Sequence, residues 1–149
     1  MNRVSILHRT GIIRGSFFLP GSKSISNRLL ILARHPQIVL KIKNISTSDD
    51  TRLLVRLLQN LDENQGDEMT LDAEDAGTVF RFLTAYLAIT PGVFILTGSE
   101  RMNERTVSPL VASLSAPGRG QFDRECAARI DRTTDLDPPV VHLRHPLHD

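Results

Sequence analysis

Leu19-Pro20-Gly21-Ser22-Lys23-Ser24-Ile25-Ser26-Asn27-Arg28, running into Leu29-Leu30-Ile31-Leu32-Ala33, joins a turn to a helix start. Pro20-Gly21 breaks the chain, and the apolar run beyond it has the length and composition of a helix. Ser22 or Ser24 suits the N-cap, which sets Lys23 and the first-turn amides at the positive helix end. At about 100° per residue, Ser24, Asn27 and Arg28 share one face while Ile25, Leu29 and Leu32 lie on another. Cations, hydroxyls and free N–H groups gathered this way suit a phosphate or carboxylate. From spacing alone, a solvated basic cap is an equally open reading. A Walker A loop is excluded, because the Gly that such a loop places ahead of its Gly-Lys-Ser/Thr is missing.

Upstream, residues 4–7 and 11–19 read as two strands around a His8-Arg9-Thr10-Gly11 turn. Ile12, Ile13, Phe17 and Phe18 supply β-favouring side chains. Downstream, Pro36 stops the helix after Arg34-His35. Residues 38–45 alternate Ile38, Leu40 and Ile42 with Val39, Lys41 and Lys43, the pattern of a half-buried strand. A second helix follows, capped by Ser46, Thr47 or Ser48. Asp49 and Asp50 fall in its first turn, where capping rather than catalysis is their reading. Leu53, Leu54, Leu57, Leu58 and Leu61 recur at helical spacing, so this helix is expected to pack on a sheet. A short strand over 68–71 and a longer one over 92–97 complete the pattern. Strand and helix alternate throughout, which places the chain in the α/β or mixed α+β class.

Composition narrows the function. The 149 residues are 40% hydrophobic and carry 18 Lys and Arg against 17 Asp and Glu, a net charge of +1. That balance gives no push toward nucleic acid or an anionic membrane surface. One cysteine, Cys126, excludes an internal disulfide framework and fits a reducing cytoplasm. No signal peptide is evident, and no apolar run approaches the ~18 residues a membrane span needs. A soluble, cytoplasmic chain is the expectation.

Two further stretches carry chemistry. Glu74-Asp75-Ala76-Gly77-Thr78-Val79-Phe80-Arg81 opens a helix at Gly77, with Phe80, Leu83 and Leu87 as its apolar ridge. A glycine there lets a ligand come close to the backbone, although for this segment standing alone an ordinary glycine before a helix is the stronger reading. Arg101-Met102-Asn103-Glu104-Arg105-Thr106 sets two arginines four apart, by itself a solvated charged segment. Together with Pro20-Gly21-Ser22-Lys23-Ser24-Ile25-Ser26-Asn27-Arg28, these stretches resemble, in order, three motifs of the EPSP synthase family. The resemblance runs over about residues 12–111. Two departures stand out: Asp75 where the family has Asn, and Thr106 where it has Pro. Asp75 adds negative charge beside an anionic substrate, and Thr106 leaves the loop less rigid.

The resemblance implies an inside-out α/β barrel built from βαβαββ units, with substrates bound between two domains. Residues 1–20 would belong to the domain completed by the family's C-terminal part, and 21–111 to part of the N-terminal domain. It implies transfer of the enolpyruvyl group of phosphoenolpyruvate to the 5-hydroxyl of shikimate 3-phosphate, in the shikimate pathway of aromatic amino acid biosynthesis. No metal or organic cofactor takes part, no partner macromolecule is implied, and the family is usually monomeric. Lys23 and Arg105 would hold phosphoenolpyruvate as electrostatic stabilisers, Ser24 and Arg28 would take shikimate 3-phosphate, and Gly77 would line the pocket. The acid–base carboxylates would lie in a missing part, so the chain is expected to be an inactive, truncated form. Alternatives are a non-catalytic anion-binding remnant, or the related transferase that uses a UDP-amino sugar. Residues 112–149 read as a divergent, non-native or disordered tail. His142, His145 and His148 within it read as solvated and not as metal ligands.

Overall fold

The leucine repeat at 53–58 and the Phe80-Leu83-Leu87 ridge meet in one core. The computed structural model describes residues 14–63, 68–104, 107–115, 127–131 and 140–145. In chain order the elements are α1 (Lys23–Leu32), α2 (Asp49–Glu63), β1 (Met69–Asp72), α3 (Gly77–Leu87) and β2 (Gly92–Thr97). A 3₁₀ turn at Glu100–Glu104, α4 (Ser108–Ser115), β3 (Ala127–Asp131) and β4 (Val140–His145) follow. Helix α3 is the centre: it contacts α1, α2, α4, β2 and β4. Its Val79, Phe80, Leu83 and Leu87 are fully buried, along with Leu54 of α2 and Leu71 and Leu96 of the sheet. Burying each such side chain contributes about 1.5–3 kcal/mol.

The sheet is mixed, with strand order β1-β2-β4-β3. β1 and β2 run parallel, Met69 opposite Phe94 and Asp72 opposite Thr97. Parallel neighbours need a crossover, and α3 is the helix between these two in sequence. β4 lies antiparallel to β2 and to β3. The helix-and-strand class expected from the sequence therefore holds, as do the helix starting at Gly77 and the strand at 92–97.

Four expectations fail. Residues 14–19 and 38–45 form no strand. Phe18 and Val39 are almost wholly exposed, at 104% and 98%, because an alternating segment is a strand only where a neighbour supplies the ladder. Helix α2 packs chiefly against α1 and α3 instead of against a sheet. On α1 the burial is inverted: Ser26 and Asn27 are buried while Ile25 and Leu32 are exposed. Asn27 therefore does not share the water-facing side of Ser24 and Arg28.

Helix α4 was not foreseen, being short and weakly patterned. Two strands, β3 and β4, fall within residues 112–149, and Val141 of β4 is fully buried. The strand expected over 4–7 lies outside the described residues. Among the described residues, no helix is long and apolar enough to cross a membrane.

Candidate functional site

Helices α1 and α2 begin side by side, joined by a run of small hydroxyl side chains. The Ser46 N–H donates to Ser26 Oγ at 2.9 Å, and the Ser48 N–H to Ser46 Oγ at 3.2 Å. Ser46 Oγ donates to Ser48 Oγ at 3.2 Å, and Thr51 Oγ1 to Asn27 Oδ1 at 2.7 Å. Thr51 has one proton and gives it to Asn27, so over the 3.0 Å to Ser48 it is the acceptor. The hydroxyl protons of Ser46, Ser48 and Thr51 thus point one way, toward Asn27, an arrangement in which each bond polarises the next. The fully buried Asn27 Nδ2 has no hydrogen-bond partner among the described residues. Ser48 is the residue whose carbonyl accepts the N–H groups of Thr51 and Arg52, so of the three capping candidates it starts α2.

Above this buried run lies an ion pair. Lys23 Nζ of the first turn of α1 is 3.0 Å from Asp50 Oδ2 of the first turn of α2, with side chains 48% and 27% exposed. Asp49, in the same turn, makes no ion pair with a described residue. Ser22 stands at the N-cap of α1 in an extended conformation, but its side chain makes no capping bond. Gly21 just before it is forced: a Cβ there would lie 1.9 Å from the Asn44 carbonyl oxygen. The entry to α1 and the approach to α2 therefore touch backbone to backbone.

Arg28 takes different partners from Lys23. Its Nη1 donates to the Ser24 carbonyl at 3.0 Å, and its guanidinium carbon stands 5.9 Å from the centre of the Phe82 ring on α3. Arg28 borders an open groove of about 560 Å³ between α1 and α3, lined by Ile31, Phe82, Tyr86, Ile89 and Pro91 among others. The groove is apolar. Its second cation, Arg34, is already held by both oxygens of Asp62 and by Tyr86, and this pairing raises the Arg34 pKa. The groove therefore offers few free polar groups, and the polar candidates gather instead at the Lys23 end of α1.

Gly77 is buried at the start of α3, and the loop leading to it is pinned from three sides. Glu74 sits in the left-handed region, φ 50°. Its N–H donates to Asp72 Oδ1 at 2.8 Å, its carbonyl accepts the Ser99 N–H at 3.0 Å, and its carboxylate meets Arg56 at 2.5 Å. Asp75 accepts a hydrogen bond from Ser99 Oγ and lies 3.7 Å from Arg101. The charge that Asp75 brings is therefore met by neighbours on the following loop.

Of the residues expected at the site, Ser24 and Arg28 lie together on exposed α1, and Lys23 stands one residue earlier with Asp50. Gly77 opens α3, which packs against α1. Arg105 and Thr106 lie outside the described residues, as does His148. His142 and His145 fall in β4. Sequence reasoning missed the Lys23–Asp50 pair and the Ser26-Ser46-Ser48-Thr51-Asn27 run. Its only signal was the density of Ser and Thr between residues 46 and 51.

Residues 8–120 match the sequence model of one family, described as EPSP synthase (3-phosphoshikimate 1-carboxyvinyltransferase). Among curated proteins, the 3-phosphoshikimate 1-carboxyvinyltransferase of Thiobacillus denitrificans is 37% identical over 150 residues, covering 89% of this chain and 33% of that protein. The protein of that name from Bacteroides fragilis is 42% identical over 106 residues, covering 71% and 24%. That from Hamiltonella defensa is 36% identical over 164 residues, covering 97% and 36%. The family match and the Thiobacillus and Hamiltonella matches run past Val111, where the resemblance legible in the sequence ends. The chain spans about a third of the length of these relatives at most.

Proposed function

The chain belongs to the EPSP synthase family, and on that footing we propose that it supplies part of a site for enolpyruvyl transfer. Phosphoenolpyruvate is the donor and the 5-hydroxyl of shikimate 3-phosphate the acceptor. The reaction is addition followed by elimination through a tetrahedral intermediate, with release of phosphate. Lys23 and Arg105 hold phosphoenolpyruvate and stabilise charge as it develops. Ser24 and Arg28 take shikimate 3-phosphate, and Gly77 lines the pocket. Two multiply charged anions must be brought together, which requires clustered cations.

The observation that supports this most is the placing of Lys23, Ser24 and Arg28, all exposed on one helix, within a stretch that matches the family. The inside-out barrel of βαβαββ units, with 21–111 as part of its N-terminal domain, belongs to the same proposal. So do a monomeric state, a cytoplasmic location and chemistry without metal or organic cofactor. The related UDP-amino-sugar transferase is the weaker reading, since the relatives named above all act, by name, on 3-phosphoshikimate.

Because the relatives are about three times as long, the 149 residues alone are expected to bind without turnover. A missing acid or base typically costs ~10²-fold or more. Calorimetric titration with each substrate, with phosphate release measured in parallel, tests the assignment. Lys23→Ala should weaken phosphoenolpyruvate binding and Arg28→Ala shikimate 3-phosphate binding, each by roughly ten- to a hundred-fold, the worth of a hydrogen bond to a charged group. Equal binding of both substrates by both variants would refute the site. Turnover near that of a full-length relative would refute the inactivity.

A further inference from the structure

We infer that Asp50 is an internal counter-anion of Lys23, which steadies the ammonium and competes with the incoming anion for it, so that this carboxylate sets the anion affinity of the site. The inference rests on the assignment of Lys23 to phosphoenolpyruvate made above.

Three observations carry it. First, Lys23 and Asp50 come from different helices and meet at 3.0 Å in a half-exposed position. Second, the pair is not what joins those helices. The buried bonds from Ser26 through Thr51 to Asn27 already do so, and an exposed ion pair adds little to stability. Third, favourable charge in the first turn of α2 does not require Asp50, because Asp49 supplies it without touching a lysine.

What remains for Asp50 is its effect on Lys23. A lysine side chain is long and flexible, and a facing carboxylate narrows where its charge resides. The same carboxylate repels any anion that approaches the ammonium. Removing one negative charge about 6 Å from a doubly charged ligand changes its affinity by about three- to ten-fold, once salt screening is allowed for.

Lys23, Lys41 and Lys43 are the only lysines in the chain, which makes a direct readout possible. Reductive ¹³C-methylation keeps the lysine charge and gives NMR signals that single Lys→Arg variants assign. In Asp50→Asn the Lys23 signal should move while those of Lys41 and Lys43 stay, which also reports an intact fold. Asp49→Asn should move none of them. Titration with phosphoenolpyruvate at fixed ionic strength, followed on the Lys23 signal, should show binding about three- to ten-fold tighter in Asp50→Asn than in the wild type. Asp49→Asn should match the wild type. If phosphoenolpyruvate shifts the Lys23 signal equally in wild type and Asp50→Asn, or binds Asp50→Asn more weakly, the counter-anion role falls and the substrate assignment stands. If phosphoenolpyruvate moves the Lys23 signal in no variant, the substrate assignment falls and the counter-anion role with it.

Discussion

Replacing Thr51 by valine removes one hydroxyl and keeps the shape of the side chain. Thr51 is 1% exposed and its Oγ1 serves two bonds, donating to Asn27 Oδ1 and accepting from Ser48. Asn27 is fully buried and its Nδ2 is already without a partner among the described residues. In Thr51→Val the Asn27 carbonyl oxygen joins it, leaving a buried amide with neither end satisfied. Stranding a buried acceptor costs about 1–3 kcal/mol, and the loss of the Ser48 bond adds to this, so about 2–3 kcal/mol is expected. Urea unfolding followed by circular dichroism reads the change. With a slope of about 1–3 kcal/mol per M, the midpoint should fall by about 1 M at unchanged slope. The double variant Asn27→Leu with Thr51→Val removes both partners, and should cost less than the sum of the single changes by about 1 kcal/mol or more. A loss below about 0.5 kcal/mol in Thr51→Val, or strict additivity, would show that the hydroxyl run does not couple the two helices.

Other consequences can be checked in the same way. Gly21→Ala must displace the Asn44 carbonyl, 1.9 Å from the new methyl group, and thermal unfolding should register a loss of about 1–3 kcal/mol, the usual range for forced overpacking. Arg28→Lys should recover only part of the shikimate 3-phosphate affinity lost in Arg28→Ala, because a single ammonium cannot reproduce the planar fork; competition binding measures the fraction. Arg34 holds the Asp62 carboxyl below its usual 3.8. A depressed folded value means the pair's contribution is present above that pH and lost as pH falls through the lower folded value. The stability difference between wild type and Asp62→Asn should therefore shrink below about pH 3.8, a small effect because the Asp62 side chain is 54% exposed.

The helices of this chain were legible because their evidence is local. Leu53, Leu54, Leu57 and Leu58 repeat within two turns, and all four are buried in the structure. Gly77 and the Phe80-Leu83-Leu87 ridge likewise announce α3 without outside information. The segments 14–19 and 38–45, expected as strands, show the limit of such evidence. Alternation describes one strand, whereas a strand exists by virtue of a neighbour distant in sequence. The burial of α1 failed for a related reason. Ser26 and Asn27 are polar, but Ser46 and Thr51 supply their partners, so the helix buries that side and leaves Ile25 exposed at 60%. At the candidate site, Lys23, Ser24 and Arg28 could be proposed from the sequence, but the carboxylate facing Lys23 is twenty-seven residues away. Both halves of the pair were in view, Asp50 as a helix-capping charge. What joins them is the packing of two helix starts, which no local pattern records.

The unpaired stretch at 38–45 bears on how the chain meets a protease. Lys41 and Lys43 are exposed on backbone that belongs to no helix and no ladder, the kind of segment a protease cuts first. Trypsin should nick there before it cuts within the helices. The cut would sever the covalent link between α1 and α2, yet Ser26, Asn27 and Arg34 still bind Ser46, Thr51 and Asp62 across it. The two pieces should therefore travel as one species on a sizing column and separate only in denaturant. In this chain, connectivity and cohesion between α1 and α2 reside in different bonds.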